Sequence, residues 1–139
     1  MTREHIRLIR ETAPAVLQLA GPMSQLFYGR LFELSPDLRP MFRGDIRAQG
    51  KKFTDMLGSL VEGIDHLDSA AQGLREMGQR HAGYGVKPEH YSVVGGAFLW
   101  TLSQTLESDF SPEVRQAWTA LIEEIATAMQ SQVRGTSAS

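Results

Sequence analysis

Apolar residues in this chain recur at intervals of three and four, and alternating β-branched runs are absent, so the pattern predicts helices between Gly and Pro punctuation. A first helix is expected over about Arg3–Leu19, with Ile6, Ile9 or Leu8, Ala13, Val16 and Leu17 inward; Pro14 should bend it or shift its start. Gly21-Pro22 reads as a stop followed by a helix-starting proline, opening a second helix over about Pro22–Leu34. There Phe27, Leu31 and Leu34 make one stripe with Leu26 alongside, and Tyr28 and Phe32 take the adjoining face. Ser35-Pro36-Asp37 predicts a short serine-capped segment that stops near Phe42, because Pro40 forbids a long helix. Asp45 is the expected cap of the next helix, about Ile46–Ile64, with Ile46, Phe53, Met56 or Leu57, Leu60 and Ile64 on its inner side. Ser69-x-x-Gln72 resembles a capping box that opens a helix with the stripe Ala70, Leu74, Met77. Gly83, Gly85 and Lys87-Pro88 end it. Pro88-Glu89 starts another helix, through Tyr91, Val94, Phe98 or Leu99 and Leu102 to about Glu107. Ser111-Pro112-Glu113 starts the last, with Val114, Trp118, Leu121, Ile122, Ile125 and Met129 inward. Six substantial helices and one short one make an all-α domain, single over residues 1–139, with a polar tail expected to fray from about residue 131.

Bulk properties narrow the function classes. A net charge of −2 recommends neither nucleic acid nor an anionic membrane as partner. The absence of cysteine excludes disulfides, thiolate metal sites, iron–sulfur clusters and thiol nucleophiles. The charged, amphipathic start MTREHIRLIRE carries no long apolar run, so neither a signal peptide nor a membrane span is expected, and a cytoplasmic protein is.

Three polar residues interrupt the apolar stripes. His81 takes the position after Met77 on its helix, Gln49 falls between Ile46 and Phe53, and Tyr28 sits beside the Phe27 stripe. Each has an ordinary explanation, since a core tyrosine or glutamine is usually satisfied by backbone and a histidine at a helix end is usually a cap. Burying an unsatisfied amide or hydroxyl costs roughly 1–3 kcal/mol, however, so three together point to one polar partner. A haem fits. One neutral imidazole supplies an axial ligand and leaves the opposite iron position open. A diatomic ligand there draws electron density onto its outer atoms, and a tyrosine hydroxyl and a glutamine amide are donors suited to that charge. Phe42, Phe53, Leu57, Val86, Val94 and Phe98 would form an apolar lining that excludes water.

The same residues carry a resemblance. The chain, from about Glu4 to Met129, is similar to the globins, specifically the bacterial single-domain globins and the haem domains of flavohaemoglobins. FYGRLFELSPDLRPMF resembles the globin second helix and the corner after it, which implies Tyr28 as the distal tyrosine and Phe42 as the phenylalanine that packs on the haem. DIRAQGKKFTDMLGSLVEGID resembles the distal helix, with Gln49 at the distal-residue position and Phe53 one turn on, bulkier than the usual aliphatic residue. MGQRHAGYGVKPEHYSVVG is similar to the flavohaemoglobin proximal segment, and QAW at Gln116–Trp118 to the last-helix motif. The resemblance implies a globin fold of six to seven helices around a pocket for haem b, with His81 as iron ligand and Tyr91 beside it. Met77, Tyr84 and Val86 are implied as further cofactor contacts, and Lys52 and Arg80 as propionate partners. His5, His66 and His90 fall on no ligand position and read as surface residues.

Two departures qualify it. Flavohaemoglobins place a glutamate in the last helix that makes the bound histidine electron-rich; the aligned position here is about Val133, and Glu123 and Glu124 come more than two turns too early. The electron-rich push is not expected on that ground, though a backbone carbonyl could still orient His81. No flavin or nicotinamide fingerprint is present, so catalytic turnover would borrow electrons from a separate reductase. The expected ligands are O2, NO and CO. The expected function is oxygen binding in support of nitric oxide dioxygenation, with Tyr28 and Gln49 as the donors to bound ligand; oxygen storage or gas sensing without turnover is the alternative, and a globin-shaped module without haem the third reading.

Overall fold

Six α-helices follow the apolar stripes: α1 (Arg3–Gln18), α2 (Ala20–Leu34), α3 (Ile46–Glu62), α4 (Leu67–Gly83), α5 (Pro88–Leu106) and α6 (Pro112–Gln130). The structure, a computed structural model, describes residues 1–18, 20–42, 46–83 and 85–131. Short 3₁₀ segments join the helices at Pro36–Met41, Ile64–His66 and Glu107–Asp109, and among the described residues there is no strand. No helix among them is long and apolar enough to cross a membrane.

α6 is the hub on one side of the molecule, packing on both α1 and α4, while α2 is held between α5 and α3. Trp118 of α6 is fully buried, and its indole N–H donates to the Thr12 hydroxyl at 2.9 Å. That hydroxyl in turn donates to the Leu8 carbonyl at 2.8 Å, so this polar contact in the core is matched. Ile9, Ala13 and Val16 from α1, Phe27 and Leu31 from α2, Phe98 and Leu102 from α5 and Leu121 from α6 complete the core. α4 approaches α6 at Gly78, where a Cβ would lie 1.7 Å from the Met129 carbonyl oxygen; only glycine permits this crossing.

Several local expectations give way to tertiary structure. α2 opens two residues before Pro22, so Gly21-Pro22 lies inside its first turn and is no stop. Leu34 and Leu26 are 47% and 42% exposed, because α2 turns its Phe27–Leu31 face to α5 and leaves theirs to solvent. Ser35 makes no cap; its hydroxyl donates to Asp37 instead. α3 ends at Glu62 and hands over through the Ile64–His66 turn, which carries straight into α4 at Leu67. Ser69-x-x-Gln72 is therefore inside α4 and is not its cap, and Gln72 spends its amide on Glu76 and Arg75. Pro14 is accommodated within α1 on its exposed side. Ser111, by contrast, caps α6 as expected, accepting from Val114 N–H at 3.2 Å. The expected cap Asp45 and the 132–139 tail lie outside the described residues.

Candidate functional site

α4 presents His81 in its last turn, four residues after Met77, because Gly85 (φ +97°) ends the helix and Val86 N–H bonds back to the His81 carbonyl at 3.1 Å. His81 Nδ1 lies 2.8 Å from the Met77 carbonyl oxygen. A carbonyl only accepts, so Nδ1 carries a proton, and in the neutral ring Nε2 is the nitrogen with the lone pair. Among the described residues Nε2 has no hydrogen-bond partner, and the ring is half-buried. This is an oriented imidazole with Nε2 as the nitrogen available to a ligand. No group of three or more His, Asp or Glu side chains able to hold a bare metal ion occurs among the described residues.

A separate aromatic cluster gathers around α2. The Tyr28 ring is buried and meets Phe27 and Phe42 edge-on at 5.0 and 5.3 Å, with Phe32 stacked at 6.1 Å. Phe53 stacks on Phe27 at 5.3 Å and meets Phe98 edge-on at 5.5 Å. Burial pushes the Tyr28 hydroxyl up to about 12, so it stays protonated, a donor, throughout the neutral range. Gly50 makes the approach of α3 to α2 possible: a Cβ there would lie 2.5 Å from the Ser24 hydroxyl and 3.7 Å from the Tyr28 ring. Gln49, the residue before it, is half-buried.

α3 leans on α2 and α1, and α4 leans on α6, while α3 and α4 make little contact with each other among the described residues. The helices bearing Gln49 and His81 are thus two separate walls. Leu57 and Phe98 are buried; Phe42, Phe53, Met77, Val86, Tyr91 and Val94 are half-buried. Burial raises the Tyr91 hydroxyl as well. Lys52 and Arg80 are exposed and make no ion pair among the described residues, and Tyr84 lies outside them. Glu124 pairs with the N-terminal amine at 3.1 Å.

His90 corrects the sequence reading. It is 4% exposed, not a surface residue, and its Nε2 lies 3.0 Å from the Asp37 carboxylate. His5 is half-buried and His66 exposed. Nothing in the sequence marks the His90–Asp37 contact, since 53 positions separate the two.

Among the described residues the bundle is all-helical, with an oriented imidazole on α4 and a buried, protonated tyrosine in an aromatic cluster, residue types that a haem protein uses. The globin family model matches residues 25–129, and the chain belongs to the globin family. It is 32% identical over 124 residues to a flavohemoprotein of Vibrio cholerae, which covers 86% of this chain and 31% of that protein. The chain therefore spans under a third of the length of this relative. A bacterial globin from Campylobacter jejuni superposes with a TM-score of 0.77 at 25% identity, covering 92% of this chain and 93% of that one. An engineered carbene transferase from Rhodothermus marinus superposes with a TM-score of 0.83 at 24% identity, covering 93% and 90%. Family membership and the flavohemoprotein relatives imply that the chain binds haem.

Proposed function

We propose that this domain binds haem b through His81, binds O2 beside Tyr28 and Gln49, and uses it to convert nitric oxide to nitrate with electrons from a separate reductase. What supports the reading above all is the pairing of an oriented His81, whose Nδ1 is engaged by Met77 and whose Nε2 is available, with a buried, protonated Tyr28. The parent of the Rhodothermus marinus structure has been suggested to be a nitric oxide dioxygenase, which fits the same chemistry.

Haem, when bound, supplies a ferrous centre for diatomic gases and the electron in NO + O2 + e⁻ → NO3⁻. The Met77 carbonyl holds the His81 ring in one tautomer and one orientation. Tyr28, caged edge-on by Phe27 and Phe42, holds its proton and offers it to a partially negative ligand; Gln49 offers a second donor. A hydrogen bond of this kind contributes about 1.5–3 kcal/mol, roughly ten- to hundred-fold in affinity. Two donors favour retention of O2 until NO arrives, and so reaction over delivery. Phe42, Phe53, Leu57, Val86, Val94 and Phe98 keep water from the reacting gases, Met77, Tyr84 and Tyr91 contact the macrocycle, and Lys52 and Arg80 pair with its propionates. CO competes with O2 for the same side, and the reaction takes place in the cytoplasm.

Mixing the oxygenated protein with NO and a flavin reductase, and counting nitrate per haem, tests this. Many nitrates per haem are expected; a yield fixed at one refutes catalysis and leaves oxygen carriage or gas sensing. Tyr28→Phe, which keeps the ring packing, should speed O2 release about ten-fold or more by stopped-flow, and an unchanged rate removes the tyrosine from the mechanism.

A further inference from the structure

His90 is a buried imidazole that the proposed gas chemistry leaves unused, and both its ring nitrogens are committed. Nδ1 accepts from Lys87 N–H at 2.9 Å, which puts the ring proton on Nε2, and Nε2–H donates to Asp37 Oδ2 at 3.0 Å. The second Asp37 oxygen accepts from the Ser35 hydroxyl. These two donors hold the Asp37 carboxyl below its usual range although the residue is exposed. The turn after α4 is thereby tied at both ends by consecutive amides. Val86 N–H reaches back to the His81 carbonyl, and Lys87 N–H reaches forward to His90. Asp37 sits in the 3₁₀ segment Pro36–Met41, which runs directly into Phe42, the ring against Tyr28. The two elements also come near one another at Gly85, where an added Cβ would lie 3.7 Å from the Met41 methyl. One carboxylate–imidazole pair thus joins the segment leading to Phe42 and the Tyr28 ring to the turn that follows the His81 helix.

We propose that Asp37 and His90 are positioning residues for the haem: as a clamp, they fix the turn that follows the iron ligand's helix against the segment that carries Phe42. This rests on His81 being the axial ligand. Removing the acceptor frees the His90 ring to rotate, Lys87 N–H loses its partner, and the last turn of α4 gains freedom. Asparagine at position 37 can replace the carboxylate without its charge, its oxygen accepting from His90 while its amide donates to the Ser35 hydroxyl.

The test uses ferrous holoprotein of the parent, Asp37→Ala and Asp37→Asn, with three readouts. They are the Fe–His stretching band by resonance Raman, hydrogen exchange over residues 82–91, and haem release to an excess of a haem-scavenging protein. In Asp37→Ala the band should shift or broaden, exchange over 82–91 should rise, and haem release should quicken about five-fold or more; Asp37→Asn should return all three toward the parent. A band and exchange rates unchanged in Asp37→Ala overturn the clamp, and so does an equal loss in both variants without change over 82–91, which would mark a general loss of stability. A Soret band undiminished in His81→Ala would refute the ligand assignment instead, while exchange over 82–91 would still report on the clamp.

Discussion

Gly73 and Gly78 lie on the same helix and differ in what faces them, so the same substitution should have opposite signs. An alanine at Gly73 would meet nothing within 4 Å, whereas at Gly78 its Cβ would lie 1.7 Å from the Met129 carbonyl oxygen and 2.4 Å from its carbon. Alanine is intrinsically better than glycine inside a helix by about 1 kcal/mol, and Gly73→Ala should realise about 0.5–1 kcal/mol of that. At Gly78 the obstacle is backbone, which cannot rotate aside. α4 and α6 would have to part by more than about 1 Å, a gap that forfeits a quarter to a half of each dispersion contact across the crossing. Overpacking of this kind costs about 1–3 kcal/mol, and with backbone as the obstacle the net loss should be about 2 kcal/mol. The two variants should differ by about 3 kcal/mol, which for a domain of this size is about 10 °C in Tm. Thermal unfolding followed by far-UV circular dichroism measures it. Because His81 is three residues further along α4, Gly78→Ala should also release haem faster than Gly73→Ala. If Gly78→Ala melts at or above Gly73→Ala, the α4–α6 crossing is not as close as described and the reasoning fails.

Two other outcomes are expected. Because burial raises Tyr28 from 10.0 to about 12, the folded chain holds a proton that the unfolded chain releases first; stability should be intact below pH 10 and fall as pH rises from there towards 12. Tyr28→Phe should flatten that part of a pH-dependent urea titration, and an identical slope would mean the tyrosine is not buried as described. Trp118→Phe should cost about 1–3 kcal/mol in urea unfolding, mostly through lost packing, because the Thr12 hydroxyl keeps its bond to the Leu8 carbonyl. A change below about 0.5 kcal/mol would place Trp118 outside the core.

Much of the molecule was legible along the chain. A helix repeats every 3.6 residues, so an apolar stripe reports its buried face directly, and Ile9, Ala13, Val16, Phe98, Leu102, Trp118 and Leu121 are all buried. The candidate site could be read for the same reason: Tyr28, Gln49 and His81 are visible as polar interruptions of that repeat. Where glycine and proline act on their own neighbours, as at Gly85-x-Lys87-Pro88 and Ser111-Pro112, the helix ends also fell where the residues indicated. Other boundaries did not. The Ile64–His66 turn carried α4 past the local signal at Ser69, since packing outweighs a cap that contributes only about 1 kcal/mol. The exposure of Leu26 and Leu34, the glycine crossings at Gly50 and Gly78 and the burial of His90 against Asp37 belong to the tertiary structure alone. Periodicity tells which side of a helix is apolar. It carries no record of which distant helix arrives there, how closely, or which polar partner it brings, because those contacts join positions with no shared local pattern.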